Sequence, residues 1–330
     1  MAGRNVTNYF SIHTLHLPVQ KKQIILENLL IEDYAAEGKC LAKVDGKVVF
    51  VENTVPGDVV DVFIYKSKKD WAAGWPTQFR KYAEQRVVPF CSHFGTCGGC
   101  QWQMLPYDQQ LFYKQKQVMD NLQRIGKVEL PEIFPIIGCI DSRGYRNKIE
   151  YTFSSKKYLS DADFSELKPK GTAAIDAAQN KPVAGFHAKG VFDKVVEIDT
   201  CYLQKEPANQ LRNAVADYAR NNHLSFYDMK LHTGFLRNMQ IRMATTGELM
   251  VHIIFGYEDA PKRKELLDFV LESFPQITTL IYSVNTKFNE SLYDITPVIY
   301  NGMGYIMEKL EGFTFKISPR SFFQTNTLQT

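Results

Sequence analysis

The segment CSHFGTCGGCQWQ, Cys91–Gln103, sets three cysteines on a glycine-rich loop in the spacing C-x5-C-x2-C. A fourth cysteine, Cys201 in IDTCYL, lies far downstream. Glycine lets a backbone wrap tightly around sulfur, and three close thiols plus one distant thiol is a common way to ligate an iron-sulfur cluster. Tetrahedral zinc is the rival, since it also takes four thiolates, but its ligands usually come as two close pairs. Cys91, Cys97, Cys100 and Cys201 are therefore the candidate metal ligands, with a cluster favoured and zinc open.

The spacing departs from the C-x3-C-x2-C of radical enzymes that use S-adenosylmethionine, which disfavours that class. His93, inside the loop, is expected to pack or hydrogen-bond locally. Cys40 and Cys139 have no partners at ligand spacing and read as small buried residues. The chain is neither short nor evidently secreted, so a disulfide framework is not expected.

Upstream of the loop, 21–88 reads as a small all-β domain. Apolar runs such as QIILENLLI, KVVFVE and VVDVFIY are broken by turn signals, with Asp45-Gly46 placed as a hairpin turn and Pro56-Gly57-Asp58 as the next corner. Short strands at this spacing suggest a compact, OB-like barrel. Its closing stretch, KSKKDWAAGWPTQFRKYAEQR, interleaves Lys66, Lys68 and Lys69 with Trp71 and further aromatics. Basic groups hold phosphates and aromatic faces stack on bases, so these four residues are candidate RNA contacts. A solvated edge strand is the plainer alternative. Residues 1–20 read as a tail.

Downstream, 89–134 combines the cysteine loop with a helix. LPYDQQLFYKQKQVMDNLQRIG carries Leu111, Val118, Met119 and Leu122 near helical spacing, and Gly126 closes it. Residues 135–310 interleave strands (EYTFSS, PVAGFHA, VVEIDTCYL, NMQIRMAT, ELMVHIIFG, TTLIYSVN, TPVIYNG, YIMEKL) with the helices PANQLRNAVADYARNN and APKRKELLDFVLESF. This predicts an α+β domain with a mostly antiparallel sheet. NGMGYI is read as a hairpin turn rather than a nucleotide loop.

With 39 Lys+Arg against 36 Asp+Glu, the net charge of +3 neither requires nor excludes a nucleic-acid partner. The N-terminal residues lack the apolar core of a secretory signal, and no apolar run reaches about 18 residues. A soluble, cytoplasmic protein without membrane contact is expected, with monomer the default.

Four segments together resemble one family. CSHFGTCGGCQWQ, GYRNKIEYTF (144–153), GFHAKGVFDKVVEIDTCYL (185–203) and ISPRSFFQTN (317–326) are similar, in order, to the RNA uracil-5-methyltransferases that carry a 4Fe-4S cluster. The β domain before them resembles the TRAM domain, an RNA-binding barrel that begins many members. The resemblance implies that Cys91, Cys97, Cys100 and Cys201 hold the cluster and that Gln324, in the FFQ-x-N motif beside Phe322, Phe323 and Asn326, helps bind S-adenosylmethionine. Tyr145, Arg146 and Lys148 join the candidate RNA contacts, since one turn there offers an aromatic ring and two cations.

Family members attack carbon 6 of uracil with a cysteine thiolate, methylate carbon 5 and remove its proton with a general base. Those residues belong to an α/β Rossmann-like domain of which 311–330 would be only the start. No cysteine follows Cys201 and the chain stops at Thr330. The expectation is therefore a chain truncated before most of its methyltransferase domain, with no catalytic residue of its own and inactive alone. Ribosomal RNA of the large subunit, 23S, is the expected substrate, with transfer RNA the alternative. A stand-alone RNA-binding or redox-sensing module and a zinc-stabilised structural protein are the competing classes.

Overall fold

A computed structural model describes residues 24–330; the expected N-terminal tail lies outside the described residues. The chain divides into two compact units, one ending at Glu84 and the other beginning at Gln85.

The first unit is a six-stranded sheet. Its strands are β1 (Ile24–Leu30), β2 (Asp33–Tyr34), β3 (Cys40–Val44), β4 (Lys47–Val51), β5 (Val59–Ser67) and β6 (Trp71–Lys81), hydrogen-bonded in the order β1-β5-β6-β4-β3-β2. All pairs are antiparallel except β4 with β6. Asp45 and Gly46, both at positive φ, form the two-residue turn between β3 and β4, the backbone such hairpins require. The Pro56-Gly57-Asp58 corner is held by the Asp58 carboxylate, which accepts from the N–H groups of Val55 (2.7 Å) and Ala83 (2.9 Å). β5 buries Val60, Asp61 and Val62 in succession, and Ala42, Val49 and Val51 of β3 and β4 are buried as well. Register shifts between β5 and β6 bend the sheet.

The second unit opens with α1 (Tyr107–Asp120), which runs through a π-type turn to Gly126 as the sequence predicts. Its apolar residues are not packed away: Val118 and Leu122 are exposed and the helix buries no residue. Next come β7 (Lys148–Ser154), α2 (Asp161–Leu167), α3 (Thr172–Gln179), β8 (Val183–His187), β9 (Val195–Glu197) and α4 (Ala208–Asn221). They are followed by β10 (Leu236–Met243), β11 (Leu249–Phe255), α5 (Ala260–Ser273), β12 (Thr279–Val284), β13 (Val298–Gly302), β14 (Ile306–Leu310) and β15 (Phe313–Ile317).

A seven-stranded sheet in the order β13-β12-β11-β10-β7-β8-β9 is antiparallel throughout except where α5 carries the chain across from β11 to a parallel β12. This is the mostly antiparallel α+β sheet predicted. One face carries Tyr151, Phe153, Met239, Ile241, Val251 and Ile253, which pack with Leu211 and Val215 of α4 and Leu266 and Val270 of α5. On the other face Met250 and Ile281 meet Ile306 and Ile317 of the β14–β15 hairpin, with Phe323 against them.

Two sequence readings are corrected. The strand predicted through VVEIDTCYL stops at Glu197, because the chain leaves the sheet to bring Cys201 round beside α4. NGMGYI is not a hairpin turn: β13 pairs with β12 and β14 with β15, so these residues link two sheets. The hairpin turn is instead Glu311-Gly312, both at positive φ, and it spans the boundary expected at 310/311.

Candidate thiol metal centre and RNA-facing groups

The cysteine loop is fixed from both ends. Cys91 N–H donates to the Gln103 side chain (3.2 Å), and Cys97 N–H closes a turn onto His93 C=O (2.9 Å). Gly98 N–H reaches His187 C=O at the end of β8 (3.2 Å), and Lys189 N–H returns to Thr96 C=O (3.4 Å). The loop thereby becomes a short antiparallel extension of β8, with Cys97 opposite Ala188. Cys201 is held in place by its N–H donating to Asn209 Oδ1 (2.7 Å) at the start of α4.

These two segments meet around one cavity of about 30 Å³, lined by all four of Cys91, Cys97, Cys100 and Cys201 together with His93 and Tyr202. That volume has room for only a couple of water-sized atoms. Burial pushes the Cys97 thiol up to about 11, with negative charge on the neighbouring thiols adding to the effect. Burial likewise raises Cys100 and Cys201. Left free, these three sulfurs are thiols at neutral pH, so a cation binding here must displace protons. Among the described residues, no three His, Cys, Asp or Glu side chains converge closely enough to grip a single ion.

The other cysteines stand apart. Cys40 is buried in the first unit, its thiol on Thr54 C=O (3.0 Å). Cys139 donates to Asp141 C=O (2.9 Å) and accepts from Asn326 Nδ2 (3.1 Å). His93 contacts its own loop, with Nδ1 at 3.4 Å from Ser92 Oγ and 3.9 Å from Cys91 Sγ.

The expected RNA contacts fall into two groups. Lys66, Lys68 and Lys69 are exposed at the β5–β6 turn, with the Lys66 ammonium 5.1 Å from the centre of the Trp71 ring. The sequence reading named Trp75 but not its partners: Trp75 stacks on Phe63 at 5.2 Å and on Tyr65 at 4.9 Å, with Trp75 and Tyr65 both exposed. The signal was the Phe63/Tyr65 alternation on β5, which puts both rings on one face of the strand. Lys148, on β7 opposite Arg242 of β10, is held below the usual ammonium range by burial and by Arg242. Tyr145 and Arg146 are half-buried. Gly144 and Arg146 pair by their N–H groups with Tyr202 and Leu203 C=O, so this segment runs beside Cys201, and Arg146 is in electrostatic reach of Cys100.

Gln324 is exposed, on a segment pinned by its backbone. Asn147 Nδ2 donates to Gln324 C=O (2.7 Å), Asn147 N–H to Thr325 C=O (2.7 Å), and Arg242 to Ser321 C=O (2.6 Å). The YRNK and FFQTN motifs, remote in sequence, are thus in direct contact.

The first unit carries a TRAM domain: residues 27–74 match that family model. The chain as a whole is homologous to bacterial proteins named as uncharacterized RNA methyltransferases. It is 45% identical to one from Bacteroides thetaiotaomicron over 89% of this chain and 64% of the relative. Identity is 40% to one from Porphyromonas gingivalis (91% and 64%) and 37% to one from Chlorobaculum tepidum (96% and 66%). The chain thus spans about 64% of the length of the first two relatives. Its fold is also that of part of a Pyrococcus abyssi tRNA (uracil-54, C5)-methyltransferase, solved with S-adenosyl-L-homocysteine, at a TM-score of 0.61 and 23% identity, over 92% of this chain and 62% of that one. No described helix is long and apolar enough to cross a membrane.

Proposed function

We propose that this chain is the RNA-binding and cluster-holding portion of an S-adenosylmethionine-dependent RNA (uracil-5-)-methyltransferase, acting as a cytoplasmic monomer on 23S ribosomal RNA. The observation that carries the reading is the convergence of Cys91, Cys97, Cys100 and Cys201 on one cavity, in a chain homologous to RNA methyltransferases. These four thiols would hold a 4Fe-4S cluster. The donor chemistry fits: four cysteine sulfurs line one largely apolar pocket, three of them on a loop already tied to the sheet. Zinc–sulfur bonds of about 2.3 Å would crowd four thiolates around a single ion, whereas a cluster fills the centre with its own atoms and takes one thiolate per iron. When bound, it would join the Cys91–Cys100 loop to the Cys201 loop and so restrict the unfolded chain.

Lys66, Lys68 and Lys69 would hold phosphates, Trp71 would offer a ring face, and Lys148 a further cation near the FFQTN segment. Gln324 would contribute to S-adenosylmethionine binding. Spanning about 64% of the length of its first two relatives, the chain assayed by itself is expected to transfer no methyl group. Transfer RNA is the second reading, favoured by the named substrate of the Pyrococcus abyssi fold neighbour. Mass spectrometry of RNA from cells lacking the gene tests both. Loss of one 5-methyluridine from 23S RNA supports the proposal, loss from transfer RNA moves it to the second reading, and unchanged RNA contradicts both.

A further inference from the structure

Behind Cys201 lies a polar network that the family motifs do not include. Asn209, at the start of α4, accepts from Cys201 N–H (2.7 Å) and donates to Cys201 C=O (3.1 Å), so a single side-chain amide grips the residue's backbone on both sides. Arg212, one turn further along α4 and fully buried, donates to the same Asn209 Oδ1 (3.0 Å) and to Asp199 C=O (2.5 Å). Its guanidinium also lies 4.9 Å from the centre of the Tyr151 ring on the sheet. Asn209 is therefore fixed by an arginine that is itself fixed by the sheet and by the loop before Cys201.

A second, half-buried cation lies near the cavity. Arg146 is tied by its N–H to Leu203 C=O (2.8 Å) and is in electrostatic reach of Cys100, while its buried Nε has no hydrogen-bond partner. Among the described residues, neither arginine forms an ion pair. The Glu206 carboxylate reaches this network only through Asn209 Nδ2 (2.8 Å), not through either guanidinium, so negative charge on four cluster-bound thiolates would be the direct counterpart of the two arginines. Burying unpaired charge is costly, and pairing it across a low-dielectric site is the usual resolution.

We propose that Asn209 and Arg212 are positioning residues that fix Cys201 as the fourth cluster ligand, and that Arg146 and Arg212 supply the positive charge that offsets the four thiolates. This rests on the cluster reading above. Groups behind a metal ligand orient it and tune the centre, and losing one typically weakens metal retention by about 10-fold or more.

The test uses the full 330-residue chain, purified without oxygen as wild type, Asn209→Ala, Arg212→Lys and Arg146→Gln, each checked for folding by circular dichroism. Three readouts are compared: iron and sulfide content, the rate at which a chelator removes iron, and the reduction potential. Asn209→Ala should release iron about 10-fold faster than wild type. Arg212→Lys keeps the charge but loses the fork that holds Asn209, and it should show the same loss, which covers the case in which Asn209→Ala does not fold. Arg146→Gln should keep its iron but shift the potential to more negative values, because reduction adds a negative charge that the arginine no longer offsets. A wild type that binds iron and sulfide, with folded variants that match it in release rate and potential, would overturn this proposal alone. A wild type without iron would overturn the cluster reading and this proposal with it.

Discussion

Cys97 shows how one residue couples burial to chemistry. Its thiol is raised to about 11, first by burial and then by the surrounding sulfurs. A raised thiol pKa favours the neutral form in the fold. The associated stability is complete below the unfolded value near 9 and is lost as pH climbs from there through about 11. In the metal-free protein, alkylation of Cys97 should therefore be slow at pH 7 and gain about tenfold per pH unit up to about 11, as mass spectrometry of labelled peptides would show. A rate already level at pH 9 would contradict the burial account. The three-plus-one cysteine pattern was legible because thiols in a glycine-rich loop are local in sequence. Asn209 and Arg212 were not, since each is an ordinary residue until α4 brings it behind Cys201, and Arg146 was read only as a candidate RNA contact.

At the scale of elements, β8 is what joins the cysteine loop to the sheet, and Gly185 is its critical position. A Cβ there would stand 2.1 Å from Val196 C=O on β9 and 2.8 Å from Ile198, so Gly185→Ala must push β8 and β9 apart. Overpacking of this kind costs about 1–3 kcal/mol or more, and the variant should show that drop in thermal or denaturant unfolding; unchanged stability would refute the tight β8–β9 pairing. At the β5–β6 turn, replacing Lys66, Lys68 and Lys69 together with Gln should weaken single-stranded RNA binding and flatten its salt dependence by about 2 in log–log slope. An unchanged slope would mean that these lysines only face water. Helices α4 and α5 and most strands were readable from their periods. Helices α2 and α3 were missed, although Ser160 and Asp163 form a capping box that announces α2. The two glycines of NGMGYI fit a hairpin locally, and only the non-local pairing of β13 with β12 excludes it.

Across the whole molecule, the sequence showed a β-rich first unit and an α+β second unit because both depend on hydrophobic period, which local pattern carries. What it could not show is how the second unit gathers distant motifs. The YRNK segment runs beside Cys201 and also holds the FFQTN segment through Asn147, so the thiol cavity and the expected S-adenosylmethionine-binding glutamine hang from the same stretch before β7. On this account the metal centre acts on the second unit as a structural joint between the cysteine loop, α4 and that stretch. The most direct test of the central claim is the iron, sulfide and zinc content of the oxygen-free chain, read with its visible spectrum. About four irons and four sulfides per chain with broad absorption near 400 nm are expected of a thiolate-bound cluster; one zinc per chain without colour, or no metal at all, would contradict it.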